Sequence, residues 1–216
     1  MTETLPSGAS ASPPPKKAYV KAVGPRLRKL LYVVFALSAL LGANAVYLAA
    51  ITFMEWTSGQ TYQNFFYQYM FLAHLVLGLL LIVPLVMFGT LHLLATRNRK
   101  NRRAVRIGYV LFIASILVLV SGVLLMRIGG FDLKQPLARS LVYWLHVAAP
   151  VAAVWLYWLH RLAGPRIKWR VGLGYAGLVA ASVLAMVWMH SGDPRGWGAI
   201  GPESGVQYFE PSLART

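Results

Sequence analysis

The chain has 216 residues, of which 57% are hydrophobic and 12% are charged, and its mean hydropathy is +0.56. So little polar surface cannot cover a water-soluble protein of this size, and the composition indicates a membrane protein. No nucleic-acid partner is expected from the net charge of +15, because the basic residues are clustered between apolar runs, and the lack of cysteine excludes disulfides, thiolate metal sites, iron–sulfur clusters and covalent haem attachment.

The first 29 residues are rich in Pro, Ser and Ala and cannot bury a core, so residues 1–29 are predicted to be a disordered basic arm. Residues 30–190 contain five apolar runs, each long enough for a membrane helix of about 20 residues. The first run passes beyond its A-x-A pattern, which favours a retained anchor over a cleaved signal peptide. Residues 191–216 form the tail. The predicted spans are Leu30–Thr52, Tyr69–Leu94, Ile107–Met126, Leu141–Leu159 and Val171–His190.

The basic residues predict the orientation of these spans. Lys and Arg number six in the N-terminal arm, six in the segment 97–106 and four in the segment 161–170. The opposite side carries none in the first loop, three between residues 127 and 139, and two in the tail. Because cytoplasmic loops carry the excess of basic residues, the N-terminus is predicted to be cytoplasmic and the tail periplasmic, in a bacterial inner membrane.

Four of the five histidines lie in only two of the predicted spans. Ionisable residues inside a membrane are costly and usually functional. At about 100° per residue, the step from His74 to His92 returns to the same helix face, and the step from His146 to His160 misses it by about 40°. Each helix therefore presents two imidazoles along one stripe. The fifth, His190, has no partner at its spacing and is interpreted as interfacial, with a minor alternative as a quinol or partner contact.

The two stripes predict two levels of paired histidines. Both helices run from outside to inside, so His74 and His146 lie near the outer surface and His92 and His160 near the inner one. One imidazole from each helix at each level is the ligand set of a low-spin, bis-histidine haem b. The levels are about 21 to 27 Å apart along the axis. Pro84 lies between the two histidines of the second span, where a bend is expected to absorb the difference.

Small and basic residues accompany the two levels. Gly108 and Gly122, in the third span, lie at about the depths of the histidines and are predicted to pack against the edge of the macrocycle, although small residues also serve ordinary helix packing. Haem propionates are anionic and are expected to meet basic residues at the interface. Candidates at the outer level are Arg127, Arg139 and Lys134. Candidates at the inner level are Arg97 and Arg161.

The histidine pairs and the glycine pair resemble the four-helix di-haem core of b-type membrane cytochromes, including the first half of cytochrome b in quinol:cytochrome c oxidoreductases. The resemblance covers residues 30–161, about two thirds of the chain. It implies axial ligation of two non-covalent haems b by the four histidines and close haem packing at Gly108 and Gly122. The interval from His74 to His92 is longer than in that family, the first span offers only Gly42, and no Pro-Glu-Trp-Tyr motif is present.

The expected fold is therefore an all-α membrane protein of five transmembrane helices, four of which form a di-haem bundle. The expected function is electron transfer between the quinone pool and a periplasmic partner such as a c-type cytochrome, as a subunit of a quinol-linked oxidoreductase complex. One alternative is a cofactor-free membrane anchor or assembly subunit of a periplasmic redox complex. A proton-coupled transporter is disfavoured, because the predicted spans contain no Asp or Glu. A ferric-reductase type enzyme would need a flavin and nucleotide domain.

Overall fold

The computed structural model describes residues 23–126, 133–164 and 169–194, and all regular structure in these ranges is helical. Each of the five helices is long and apolar enough to cross a membrane. The chain is therefore a multi-pass membrane protein, as the hydropathy pattern predicted. The helices are α1 Pro25–Ser58, α2 Phe65–Thr96, α3 Arg102–Leu125, α4 Pro136–Leu162 and α5 Trp169–Ser191.

The helix ends follow local capping chemistry. α1 and α4 each begin with proline, whose missing amide hydrogen costs nothing in the first turn. The side chains of Asn64 and Asn101 accept hydrogen bonds from the first turns of α2 and α3, at 2.9 and 3.1 Å. α1 ends at Ser58 and is capped by Gly59, which has a φ of 68° in the left-handed region that favours glycine.

All five helices coincide with predicted spans, but most extend beyond them. α1 begins at Pro25, so the last residues of the predicted disordered arm are helical. The apolar window marks only the part of a helix that lies in hydrocarbon, whereas helical hydrogen bonding continues into the interface where Lys and Arg reach water. The rest of the arm, residues 1–22, and the tail from residue 195 lie outside the described residues.

The helices pack as two antiparallel hairpins with α5 added on one side. α3 packs along α4, α1 packs along α2, and α2 contacts α3 between the hairpins. Phe35 of α1 meets Tyr157 of α4 with ring centres 5.9 Å apart, so four helices surround a common interior. Most large apolar side chains face outward, as expected where the solvent is lipid.

α5 docks on the α1–α2 hairpin through hydrogen bonds. The Tyr175 hydroxyl donates to the Phe35 carbonyl at 2.8 Å. Near the other end of α5, the hydroxyl of the fully buried Tyr47 lies 2.8 Å from His190 Nδ1. Asp193 accepts a 2.9 Å hydrogen bond from the Phe66 amide in the first turn of α2. His190 therefore has a partner on α1 that helical spacing did not predict, because the partner lies 143 residues away in the chain.

Candidate functional site

Four histidines from α2 and α4 meet in two pairs inside the bundle. The rings of His74 and His146, called the outer pair, have centres 6.1 Å apart and planes at 85°. The rings of His92 and His160, called the inner pair, have centres 6.2 Å apart and planes at 82°. The pairing predicted from the helical spacing is therefore present at both levels, with nearly the same geometry.

The rings come together in both pairs, although the two histidines of α2 are 18 residues apart and those of α4 are 14 residues apart. α2 remains one helix through Pro84, and α4 also contains a proline between its histidines, Pro150. A proline inside a helix removes one backbone hydrogen bond and lets the axis bend. Each histidine-bearing helix thus has a place, between its two levels, where its path can adjust to the other.

The imidazoles bridge a gap between their helices. Among the described residues, no Cα atom of α2 lies within 8 Å of a Cα atom of α4, whereas α3 packs closely along α4 and α1 along α2. The space between α2 and α4 is therefore wider than a direct helix–helix contact, which places axes about 8 to 10 Å apart. The four rings reach into this space, and each is only partly exposed.

Backbone carbonyls of α3 orient the two imidazoles of α4. Nδ1 of His146 donates to the Val118 carbonyl at 3.2 Å, and Nδ1 of His160 donates to the Ala104 carbonyl at 3.2 Å. A carbonyl only accepts, so each Nδ1 carries the proton and each Nε2 keeps its lone pair. This is the tautomer that a metal-ligating histidine adopts when its other nitrogen is held by an acceptor.

A glycine four residues after each acceptor lets the imidazole approach. Gly122 follows Val118, and a Cβ atom at this position would lie 3.0 Å from His146 Cε1. Gly108 follows Ala104, and its Cβ would lie 3.3 Å from His160 Cε1. Larger residues at the two glycines would therefore push the rings away from the carbonyls. The sequence placed these glycines against a macrocycle, and in the structure their nearest neighbours are the imidazoles.

The two arrangements repeat along α3. Both the carbonyl acceptors and the glycines are separated by 14 residues, as are the histidines of α4. A 14-residue step nearly returns to the same helix face, so two antiparallel helices can make the same contact twice. We call each arrangement of carbonyl, glycine and imidazole a cradle: the outer cradle holds His146 and the inner cradle holds His160.

The other two imidazoles have side-chain neighbours. Nδ1 of His74 lies 3.2 Å from the Asn44 Oδ1 atom of α1. The ring of His92 stacks on Phe88 one turn earlier, with ring centres 5.4 Å apart and planes at 9°. In the outer cradle, the Ser121 hydroxyl lies 3.0 Å from His146 Nδ1.

Sequence reasoning missed Asn44 and Ser121, which are each only 1% exposed. A signal for them existed, because both are polar residues in the middle of apolar runs. What the sequence did not contain was their direction, since helical spacing relates residues of one helix and does not say which neighbouring helix a polar side chain faces.

The predicted basic residues take different positions. Arg139 is half-buried in the early turns of α4 and precedes His146 by seven residues, which places it on nearly the same face of that helix. Lys134 is exposed just before α4, and Arg127 lies outside the described residues. At the inner level, Arg97 is exposed at the end of α2, and Arg161 follows His160 directly.

Each level offers two imidazoles, and the described part of the chain contains no group of three or more His, Cys, Asp or Glu side chains arranged to hold a metal ion. Two ligands on opposite sides suit a metal that brings its remaining ligands with it, as iron does in a porphyrin. Comparison of the chain with protein-family models, curated proteins and solved structures finds no match.

Proposed function

We propose that this chain is a di-haem b-type membrane cytochrome that carries electrons across the membrane between the quinone pool and a redox partner on its outer side. The proposal rests on the two imidazole pairs, which have nearly the same geometry: the ring centres are 6.1 Å apart in the outer pair and 6.2 Å apart in the inner pair. The outer pair would hold one haem and the inner pair the other. Bound haem would supply the one-electron redox chemistry.

The spacing of the rings suits this group. An imidazole nitrogen lies about 1.2 Å from its ring centre and binds a transition metal at about 2.0 to 2.1 Å, so two imidazoles that held one metal between them would have ring centres about 6.4 to 6.6 Å apart. The observed distances differ from this by a few tenths of an ångström. The Nδ1 contacts of His74, His146 and His160 leave Nε2 as the ligating atom in each.

Charged residues suit the propionates of haem at both levels. Arg139 lies two turns before His146, at the end of α4 that is nearer the outer pair. Arg127 and Lys134 precede α4 in the sequence. Arg97 and Arg161 flank the inner pair. An arginine or lysine side chain attracts a carboxylate more strongly near a membrane interface than in bulk water, because the surroundings screen the charges less.

The proposed location is a bacterial inner membrane, with the N-terminus in the cytoplasm and the tail in the periplasm. In the described residues, the inner ends of the helices carry Arg26, Arg28 and Lys29 and the cluster from Arg97 to Arg106, without an acidic residue. The outer ends carry Glu55 and Asp193 together with Lys134 and Arg139. This asymmetry supports the orientation through the positive-inside rule.

Single cysteines test the orientation cleanly, because the native chain has none. Lys134→Cys is expected to react with a membrane-impermeant maleimide in intact spheroplasts, and Lys100→Cys only after the membrane is opened. Both positions are exposed, so access to the thiol depends on the side of the membrane alone. The reverse labelling pattern would overturn the orientation.

The quinone pool and a periplasmic c-type cytochrome are the proposed partners. A quinol can reach a membrane-embedded haem from the lipid, and a soluble haem protein can reach the outer level from the periplasm. The chain would then act as an electron-transfer subunit of a quinol-linked oxidoreductase complex. The alternative remains a cofactor-free anchor or assembly subunit, in which the histidines only donate hydrogen bonds between helices.

A dithionite-reduced minus oxidised spectrum of the purified full chain, with haem measured per polypeptide, separates these functions. The cytochrome proposal expects a b-type spectrum and two haems per chain. Purification of the folded chain without haem, even after haem is supplied during expression, would remove the cytochrome proposal and favour the anchor.

A further inference from the structure

Asn44 makes contacts that a buried amide in a membrane helix needs in order to be tolerated. It lies in the middle of α1 and is 1% exposed. Its Nδ2 donates to the Met70 carbonyl of α2 at 2.9 Å and lies 3.6 Å from the Met70 sulfur. Its Oδ1 lies 3.2 Å from His74 Nδ1. An unpaired amide in this environment would destabilise the helix packing, because neither lipid nor apolar side chains can replace the lost hydrogen bonds.

These contacts determine which nitrogen of His74 carries the proton. The Met70 carbonyl only accepts hydrogen bonds, so the amide nitrogen of Asn44 must face it. The remaining amide oxygen also only accepts, so Nδ1 of His74 must donate to it. Nε2 of His74 then keeps the lone pair that a metal requires. The Met70 carbonyl thus fixes the orientation of the Asn44 amide, and the amide oxygen fixes the tautomer of His74.

Asn44 also holds the imidazole in place. Met70 lies four residues before His74, one turn earlier in α2. The Asn44 amide therefore bonds to the backbone of α2 and to the His74 ring at neighbouring positions. Each histidine of α4 instead has a backbone carbonyl acceptor, which no substitution removes, and His146 also contacts the Ser121 hydroxyl. In the outer pair, His146 therefore keeps an acceptor when a side chain is replaced, whereas the acceptor of His74 is the side chain of Asn44.

We infer that Asn44 is the positioning residue of the outer pair, and that its hydrogen bond to His74 sets the ferric–ferrous equilibrium of the outer haem. This inference rests on the proposed function. An acceptor on Nδ1–H makes the imidazole a stronger electron donor, which favours ferric iron. A stronger acceptor favours it more, and loss of the acceptor favours ferrous iron. The direction of the change therefore follows from the group placed at position 44.

Two variants of similar size test the inference, one that removes the acceptor and one that keeps it. Asn44→Leu removes the acceptor and is expected to shift the outer equilibrium about tenfold toward ferrous iron, which is about +59 mV for one electron. Asn44→Asp keeps a carbonyl acceptor for His74, because the oxygen that faces the Met70 carbonyl must carry the proton of the acid, and it is expected to leave the outer equilibrium within about twofold of the native one. The inner haem is expected to keep its native equilibrium in both.

The measurement is a redox titration of the full chain in lipid nanodiscs, together with the low-spin ferric signals in electron paramagnetic resonance. The outer haem is identified as the one lost from His146→Ala. Thr57→Val is the matched control, because Thr57 is also a polar residue of α1 but donates to the Phe53 and Met54 carbonyls of its own helix. It is expected to leave both haems unchanged.

A ferrous shift of the outer haem in Asn44→Leu that is absent from Asn44→Asp, with the inner haem unchanged in both, would support the inference. Equal shifts in the two variants, or a shift below about twofold in Asn44→Leu with both haems retained, would overturn it and leave Asn44 as a packing residue. If Asn44→Leu loses the outer haem, retention of that haem with its native equilibrium in Asn44→Asp supports the inference, and loss from both variants overturns the tuning. Failure of the proposed function is a separate result, because it is read from the haem content of the native chain.

Discussion

His146→Ala is expected to reduce the haem content from two per chain to one. In the proposed di-haem arrangement, the substitution removes one of the two imidazoles that would hold the outer haem, and His74 loses the partner whose ring centre lies 6.1 Å from its own. An alanine cannot bind iron, and a water molecule would be a weak replacement in an apolar bundle. The inner pair is unchanged, because its imidazoles contact other turns of the same helices. Haem per polypeptide and the reduced minus oxidised spectrum measure the effect.

His190→Ala is the matched control for this prediction. His190 is also a histidine of a membrane helix with a 2.8 Å contact to a side chain of another helix, but that side chain is Tyr47 of α1 rather than a second imidazole. The variant is expected to keep both haems. Equal haem content in His146→Ala and the native chain, or equal loss in the two variants, would contradict the assignment of the outer pair as ligands.

Gly122→Val is expected to remove the outer haem as completely as loss of the ligand itself. The added Cβ atom would lie 3.0 Å from His146 Cε1, and the two methyl groups of valine extend further from the backbone. The ring must then leave the Val118 carbonyl and lose its alignment with His74. The valine methyl groups reach beyond the Cβ atom and are expected to displace the ring by more than the few tenths of an ångström that a Cβ alone requires.

The inner cradle provides a parallel test and α5 provides the control. Gly108→Val is expected to remove the inner haem only, because its Cβ would lie 3.3 Å from His160 Cε1. Gly174→Val introduces the same side chain into a membrane helix where a Cβ meets nothing within 4 Å, and it is expected to keep both haems. Retention of both haems in Gly122→Val and Gly108→Val would show that the cradles do not position the ligands.

The sequence by itself determined the spans and the two histidine levels. Apolar runs long enough to span a membrane predict α-helices, because the backbone N–H and C=O groups find no water in lipid and must hydrogen-bond to each other within the run. Helical spacing then places His74 and His92 on one face of α2, and His146 and His160 near one face of α4. Both inferences concern residues within a single helix, where the period of the helix converts sequence distance into position. The structure confirms the helices and brings the histidines together as predicted.

Only the tertiary structure decided which groups of neighbouring helices meet these imidazoles. The Asn44 amide, the Ser121 hydroxyl and the carbonyls of α3 lie at least 25 residues from the histidines they contact. The link between Tyr47 and His190 spans most of the chain. Such contacts depend on the rotation of each helix about its axis and on the packing of its neighbours, which no period within one helix encodes. The sequence thus determined where the imidazoles lie along their helices, and packing between helices determined how each one is oriented.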